Sequence, residues 1–294
     1  MIVRASIQII LFTWPGGESA IGPAFVRVGR AADEAGFDTV WVMDHFFQLE
    51  PMLGPADSPM LEAYSALSYL AGVTERVRLG TLVTGVIYRY PGLLAKTVTT
   101  LDVLSGGRAW LGIGAGWYQR EAEGLGFPFP PLATRFEQLE ETLRIVHQMW
   151  KADKTPIEGV HFRLAEPINS PGALSEPHPP ILIGGSGERK TLRLVAEYAD
   201  ACNLSAAMGP DELSRKLAIL RGHCEEVGRD YAEISKTVGL QVNLEEQSTD
   251  QVIDQCKNLA ALGFDHTIFG FFGAPEVAVI QRLGQEVVPA LAGF

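Results

Sequence analysis

The sequence predicts an α/β fold, a (β/α)₈ TIM barrel with a Pro-rich insertion between units four and five. About eight β-rich runs alternate with amphipathic stretches from end to end of the chain, the rhythm of a repeated βα unit. A joint between helix and strand recurs: Glu34-Ala-Gly-Phe-Asp38 and Ala261-Leu-Gly-Phe-Asp265 each close a helix and open a strand. The 294 residues, 47% hydrophobic and 20% charged, suit one large domain or two small ones, and the βα rhythm, which resumes in the same style after the insertion, favours a single domain spanning 1–294. An open doubly wound sheet is the other fold that this alternation allows.

The first strand covers 5–11 and runs into Trp14-Pro15-Gly16-Gly17, which sets an aromatic ring at the strand's C-terminal end. The second, 38–43, holds the apolar run Val40-Trp41-Val42-Met43, suited to a strand buried on both faces. It ends in Asp44-His45, where α/β barrels keep their chemistry. A histidine there can act as a general acid near neutral pH, and its neighbour can orient a ligand; taken alone, the pair could equally cap the strand. The third strand, 77–83, leads to an aromatic, Arg-bearing loop, Tyr88-Arg89-Tyr90-Pro91. The fourth, 109–113, enters Gly112-Ile-Gly114-Ala-Gly116-Trp117-Tyr118, whose glycines would let a flat ligand approach the backbone. The plain alternative is a glycine-lined turn with a packing Trp.

Helical periods follow. Phe136, Leu139, Leu143, Val146 and Met149 share one face, and Leu213, Leu217, Leu220, Cys224 and Val227 share another. Thr134-x-x-Glu137 and Ser248-x-x-Gln251 read as capping boxes, while Gly36, Gly228 and Gly263 stand where helices should stop. Residues 151–180, rich in Pro, break the rhythm; Val160-His161-Phe162-Arg163-Leu164 could form a strand or hairpin inside this insertion. The remaining strands are expected at 180–183, 201–204, 235–240 and 267–269.

After the fifth strand comes Gly184-Gly185-Ser186-Gly187, opening a helix and followed by Arg189, Lys190 and Arg193. Glycines and first-turn N–H groups suit a phosphate, although a plain βα turn would look the same. The run matches neither the Walker nor the dinucleotide pattern.

The net charge of -11 argues against nucleic-acid or anionic-membrane partners, though a local basic cluster could still hold a small anion. Cys202, Cys224 and Cys256 are odd in number and far apart, which predicts reduced thiols in a cytoplasmic protein, with Cys224 and Cys256 packing in the core. The apolar run from Ile7 to Phe12 is too short to cross a membrane. His147, His161, His178, His223 and His266 have no metal-ligand spacing, so no metal site is predicted.

Taken together, the motifs resemble the bacterial luciferase-like superfamily of flavin and deazaflavin oxidoreductases. Phe12-Thr13-Trp14-Pro15-Gly16-Gly17, Trp41-Val-Met-Asp44-His45-Phe46-Phe47, Arg78-Leu-Gly-Thr81, Leu104-Ser-Gly-Gly-Arg108, Gly112 to Trp117 and Gly184 to Gly187 carry the resemblance, which covers nearly the whole chain. It is closest to the branch that uses the deazaflavin coenzyme F-420 (F420). The resemblance implies a barrel with an insertion and a non-prolyl cis peptide at Leu82-Val83 forming a bulge behind the cofactor ring. It implies that Asp44 contacts the ring, His45 is the catalytic acid/base, Gly116 lines the ring or its side chain, and Gly184, Gly185, Ser186 and Gly187 hold the phosphate. Arg189, Lys190 and Arg193 could then meet the coenzyme's polyglutamate tail. Deazaflavin sugar-phosphate dehydrogenases of this superfamily carry a Glu where this chain has Trp117, which favours reduction of an organic acceptor; Glu121, one turn on, is not assigned that role.

The expected activity is hydride transfer between reduced F420 and an activated C=C, C=N or C=O group, with Trp14, Tyr88 and Trp117 shaping a pocket for a planar, apolar substrate. One alternative is an FMN-dependent monooxygenase using reduced flavin and oxygen. Another is a deazaflavin-binding protein without turnover. A homodimer is implied by resemblance only.

Overall fold

Apolar runs flanked by parallel neighbours build the wall of a barrel. β1 (Arg4–Ile9) leads to α1 (Glu18–Glu34), β2 (Thr39–Val42), α2 (Ala63–Ala71), β3 (Arg78–Thr81), the short β4 (Thr84–Gly85) and α3 (Pro91–Ser105). β5 (Ala109–Gly114), α4 (Gln119–Gly124) and α5 (Leu132–Trp150) form the fourth unit. A hairpin follows, β6 (Ile157–Glu158) with β7 (Arg163–Leu164). The rhythm resumes with β8 (Ile181–Gly184), α6 (Thr191–Tyr198), β9 (Ala201–Ser205), α7 (Pro210–Val227), β10 (Ser235–Val242), α8 (Thr249–Leu262), β11 (His266–Phe271), α9 (Val277–Glu286) and α10 (Val288–Leu291). The computed structural model describes residues 3–293.

The strands pair in the order β3-β2-β1-β11-β10-β9-β8-β5, and β3 meets β5 at Leu79↔Ala109, which closes eight parallel strands into the expected barrel. β4 continues the third strand beyond a break at Leu82-Val83 and pairs with β5 at Thr84↔Ile113.

Bulky rings fill the interior. Trp41 and Trp110 lie 5.6 Å apart, packed with Leu182, Ala201 and Ile268. Gly80 has to be glycine here, since a Cβ would stand 2.5 Å from the Trp41 ring. Outside, α5 buries Leu139, Leu143, Val146 and Met149, and α7 buries Leu213, Leu217, Leu220 and Cys224. Each such side chain contributes on the order of 1.5–3 kcal/mol when removed from water. All three cysteines are buried and unbridged, and burial pushes the Cys202 thiol up to about 12.

The capping box at Ser248 and Gln251 is formed, and Gly228 and Gly263 end their helices in the left-handed conformation. The box expected at Thr134 is not. α5 begins earlier, at Leu132, with Pro131 as its N-cap and no side-chain cap. The pair Pro130-Pro131 presets the backbone for helix entry, so Thr134 falls inside the first turn.

The insertion is strapped to two helices. Asp102 on α3 accepts from Leu174 N (2.7 Å), Ser175 N (2.9 Å) and Ser175 Oγ (2.6 Å). Glu141 on α5 accepts from the N–H groups of His161 and Phe162, each at 3.0 Å, inside the β6–β7 hairpin. At the opposite end of the barrel from the strand C-termini, His266 is fully buried with Nε2 2.5 Å from Ser6 Oγ. Among the described residues, no helix is long and apolar enough to cross a membrane.

Candidate active site

The C-terminal strand ends converge on a cleft of about 410 Å³. β2 brings His45 to it, and the loop after β5 brings Gly114, Gly116 and Trp117. Gly184, Gly185, Thr191 and Asn203 line the side beyond β8, while Leu132, Phe136 and Leu139 of α5 close the outer wall.

His45 Nδ1 lies 3.0 Å from Glu121 Oε1. The same carboxylate accepts from Phe46 N (2.5 Å), Phe47 N (2.8 Å) and the Tyr88 hydroxyl. Burial alone would raise Glu121, but bonds from His45, Phe47 and Tyr88 outweigh it and hold the carboxyl below its ordinary range. An ionised carboxylate only accepts, so Nδ1 carries the hydrogen and Nε2 is left for the cleft. Burial, then the Glu121 carboxylate, pushes the Tyr88 phenol above its usual range, so it stays a donor. Sequence reasoning did not find this role for Glu121. The short helix α4 has no readable stripe, and the pairing with His45 is visible only once α4 lies against the end of β2.

The floor is Val83. The Leu82–Val83 peptide is cis, at the position expected, and Gln8 Nε2 donates to the Leu82 carbonyl at 3.3 Å. Val83 packs against backbone that lacks side chains: a Cβ at Gly114 would lie 3.1 Å from Val83 Cγ2, and one at Gly184 2.9 Å from Val83 Cγ1. Gly185 has φ +115°, open to glycine and strained for other residues. Thr237 Oγ1 stands 2.8 Å from both the Cys202 carbonyl and Asn203 Oδ1, so its single hydrogen serves one of the two.

The remaining expected residues divide. Tyr88 and Trp117 line the cleft, and Trp117 lies 5.9 Å from the His45 ring, about half exposed. Trp14 does not line it: its ring packs against Phe12 and Phe25, and Nε1 donates to the Pro275 carbonyl at 2.9 Å. Asp44 is fully buried and does not line it either. Arg89 grips its carboxylate at 2.5 and 3.0 Å and also pairs with Glu62, while stacking 4.6 Å over Tyr64. Burial pushes Asp44 up against the opposing pull of Arg89. Gly184 and Gly185 line the cleft, but Ser186 and Gly187 do not; a turn over 188–190 separates them from α6. Arg193 is held by Glu197 (2.8 Å) and Glu226 (3.2 Å). Arg189 and Lys190 line a groove that meets the cleft at Phe136, alongside Glu137, Glu140 and Glu197. No trio of His, Cys, Asp or Glu is gathered as a metal site among the described residues.

Together these groups make a cleft edged by glycine backbone. Its floor is an aliphatic side chain between glycine backbones, where a Cβ would intrude. His45, Asn203, Gly184 and Gly185 are among its lining residues.

The profile of the luciferase-like monooxygenase family matches residues 10–270. A protein of Kineococcus radiotolerans named F420-dependent glucose-6-phosphate dehydrogenase is 32% identical over 73% of this chain, and the match spans 62% of that protein's length. A protein of the same name from Nakamurella multipartita is 31% identical over 95% of this chain and 80% of its own. The structure of a coenzyme F420 dependent tetrahydromethanopterin reductase from Methanopyrus kandleri superimposes with a TM-score of 0.80, covering 99% of both chains at 17% identity.

Proposed function

The chain belongs to the luciferase-like monooxygenase family, and from that membership we propose that it is an F420-dependent oxidoreductase that reduces an organic acceptor. The observation that carries this reading is His45, fixed through Nδ1 by a buried carboxylate and facing a glycine-edged slot with Nε2. Relatives named for F420 support the cofactor. When bound, the deazaflavin would supply the hydride.

The protein's own groups would do the rest. Val83, with Leu82, would support one face of the ring, and Gly114 and Gly116 would let its edge approach backbone. Gly184 and Gly185, which line the cleft, would take the phosphate end, helped by Asn203, while Ser186 and Gly187 continue the turn outside it. Protonated at both nitrogens, His45 would deliver from Nε2 the proton that accompanies the hydride onto a C=C, C=N or C=O group, and Glu121, accepting from Nδ1–H, would stabilise that imidazolium and fix its orientation. Tyr88 and Trp117 would shape the acceptor side. Asp44, which has Arg89 on its carboxylate, would position the strand end carrying His45. Arg189 and Lys190 would meet the acidic tail; Arg193, already paired, would not. Trp117 stands where sugar-phosphate dehydrogenases of the superfamily carry Glu, and Glu121 faces His45 and backbone N–H groups; both favour acceptor reduction over alcohol oxidation. The same reading makes the chain a single domain in a cytoplasmic homodimer.

The test is a paired fluorescence titration with F420 and FMN. Tight F420 and weak FMN binding, followed by turnover of an acceptor with reduced F420, is the expected result. The reverse preference, with oxygen consumption by reduced FMN, would move the protein to the monooxygenase reading.

A further inference from the structure

The glycine turn after β8 has little of its own to hold it. Residues 185–190 belong to neither strand nor helix. Three of the four residues from Gly184 to Gly187 are glycine, which leaves the backbone many conformations. The turn is closed by Leu192 N, which donates to the Gly187 carbonyl, and by Leu194 N, which donates to the Lys190 carbonyl, each at 2.9 Å.

α7 grips this turn from outside the barrel, at Glu188. Lys216, only 8% exposed, donates to Glu188 Oε1 at 2.7 Å, and Arg215 Nη1 reaches the same oxygen at 2.5 Å. Seven residues beyond Lys216, on the same helix face, His223 donates from Nε2 to the Glu188 carbonyl at 2.8 Å. Carboxylate and backbone of one turn residue are thus held by one helix. Glu212, one turn before Lys216, lies 3.3 Å from the ammonium and keeps it between two carboxylates. The Lys216 bond, with Arg215 behind it, holds the Glu188 carboxyl below its ordinary range. Glu188, Lys216 and His223 do not line the cleft, whereas Gly184 and Gly185 do.

We propose that Lys216 is a positioning residue for anion binding at the glycine turn. It fixes Glu188, so that Gly184 and Gly185 keep their backbone toward the cleft for the coenzyme's phosphate. This rests on the reading above that the turn takes that phosphate. Loss of the ammonium acts twice in the same direction. The turn loses a buried anchor, and the Glu188 carboxylate, held then by Arg215 alone, repels an anion bound beside it.

Fluorescence titrations compare wild type, Lys216→Met, Lys216→Arg and His223→Phe. Methionine keeps an apolar stem in place and drops the charge. The probes are F420 without its glutamates, which keeps the phosphate, and the bare deazaflavin chromophore, which has none. Lys216→Met should weaken the first about tenfold and the second less than about twofold. Lys216→Arg should restore most of the difference. His223→Phe removes only the grip on the carbonyl. It should shift the ratio the same way, and it carries the comparison if Lys216→Met does not fold. An equal loss for both probes, as general destabilisation would give, or no loss for either, overturns the proposal. Amide exchange at Leu192 and Leu194, read on the ligand-free chain, needs no coenzyme. It should quicken in Lys216→Met, with the β8 amides unchanged, and return toward wild type in Lys216→Arg; unaltered exchange overturns the proposal. Should neither probe bind wild type, the cofactor reading falls, and the exchange rates alone decide for or against the strap.

Discussion

His45 and Glu121 stand 76 positions apart in the chain and meet at 3.0 Å, the imidazole from the end of β2 and the carboxylate from α4. Replacing Glu121 by Gln keeps the size but removes the charge and one of the two acceptor oxygens. We expect kcat to fall on the order of 10²-fold, with F420 affinity within twofold of wild type. Steady-state kinetics beside a fluorescence titration checks this; full turnover would remove Glu121 from the mechanism. Because the folded carboxyl lies below its ordinary range, its stabilising contribution is complete above that range and is lost as pH falls through the lowered value.

Val83 and Gly184 predict a reciprocal effect. Gly184→Ala places a methyl 2.9 Å from Val83 Cγ1 and 3.0 Å from Cγ2. Such overpacking costs about 1–3 kcal/mol, readable by urea denaturation, and should weaken F420 as the floor shifts. Adding Val83→Ala should recover part of the stability. Strict additivity in the double-mutant cycle would mean that the two positions do not share the contact.

The Asp44–Arg89 pair predicts a larger loss. Arg89→Leu strands a fully buried carboxylate, and removal of one partner of a buried pair costs about 3–5 kcal/mol. Asp44→Asn combined with Arg89→Leu should be less harmful than Arg89→Leu alone. Thermal or denaturant melts of the three variants give the order directly.

The buried His266 predicts a pH dependence. Burial pushes it down to about 4, against an ordinary 6.5, so between those values the unfolded chain takes up the proton first. Stability is therefore complete above pH 6.5 and falls toward pH 4, by up to roughly 1.4 kcal/mol per pH unit from this group. His266→Gln should flatten that slope in urea melts at pH 7 and pH 5; an unaltered slope would assign it to other groups.

Local pattern carries much of the fold. All eight barrel strands are marked by β-rich runs, with errors mostly of one or two residues, and the apolar run ending in Asp44-His45 leads to the cleft by its residues alone. What local pattern does not carry is pairing at a distance. Trp14 follows a strand, as a pocket wall would, but Phe25 and the Pro275 carbonyl capture it. Asp44 stands at a strand end, as a ligand contact would, and Arg89 occupies it from a loop 45 positions away. Arg193 follows a glycine run, as a phosphate-binding cation would, but Glu197 and Glu226 hold it. Each depends on a side chain whose partner is set by tertiary packing.

The straps on the insertion have a consequence for how this protein could change over time. Asp102 and Glu141 hold the segment chiefly through backbone N–H groups, which nearly every residue supplies. His161 and Phe162, so held, border a cleft of about 330 Å³ that Tyr88, Arg89 and Phe127 also line. Their side chains can therefore be exchanged without loosening the anchors. A new chemical preference could evolve there while the barrel beneath, and the histidine it presents, stay as they are.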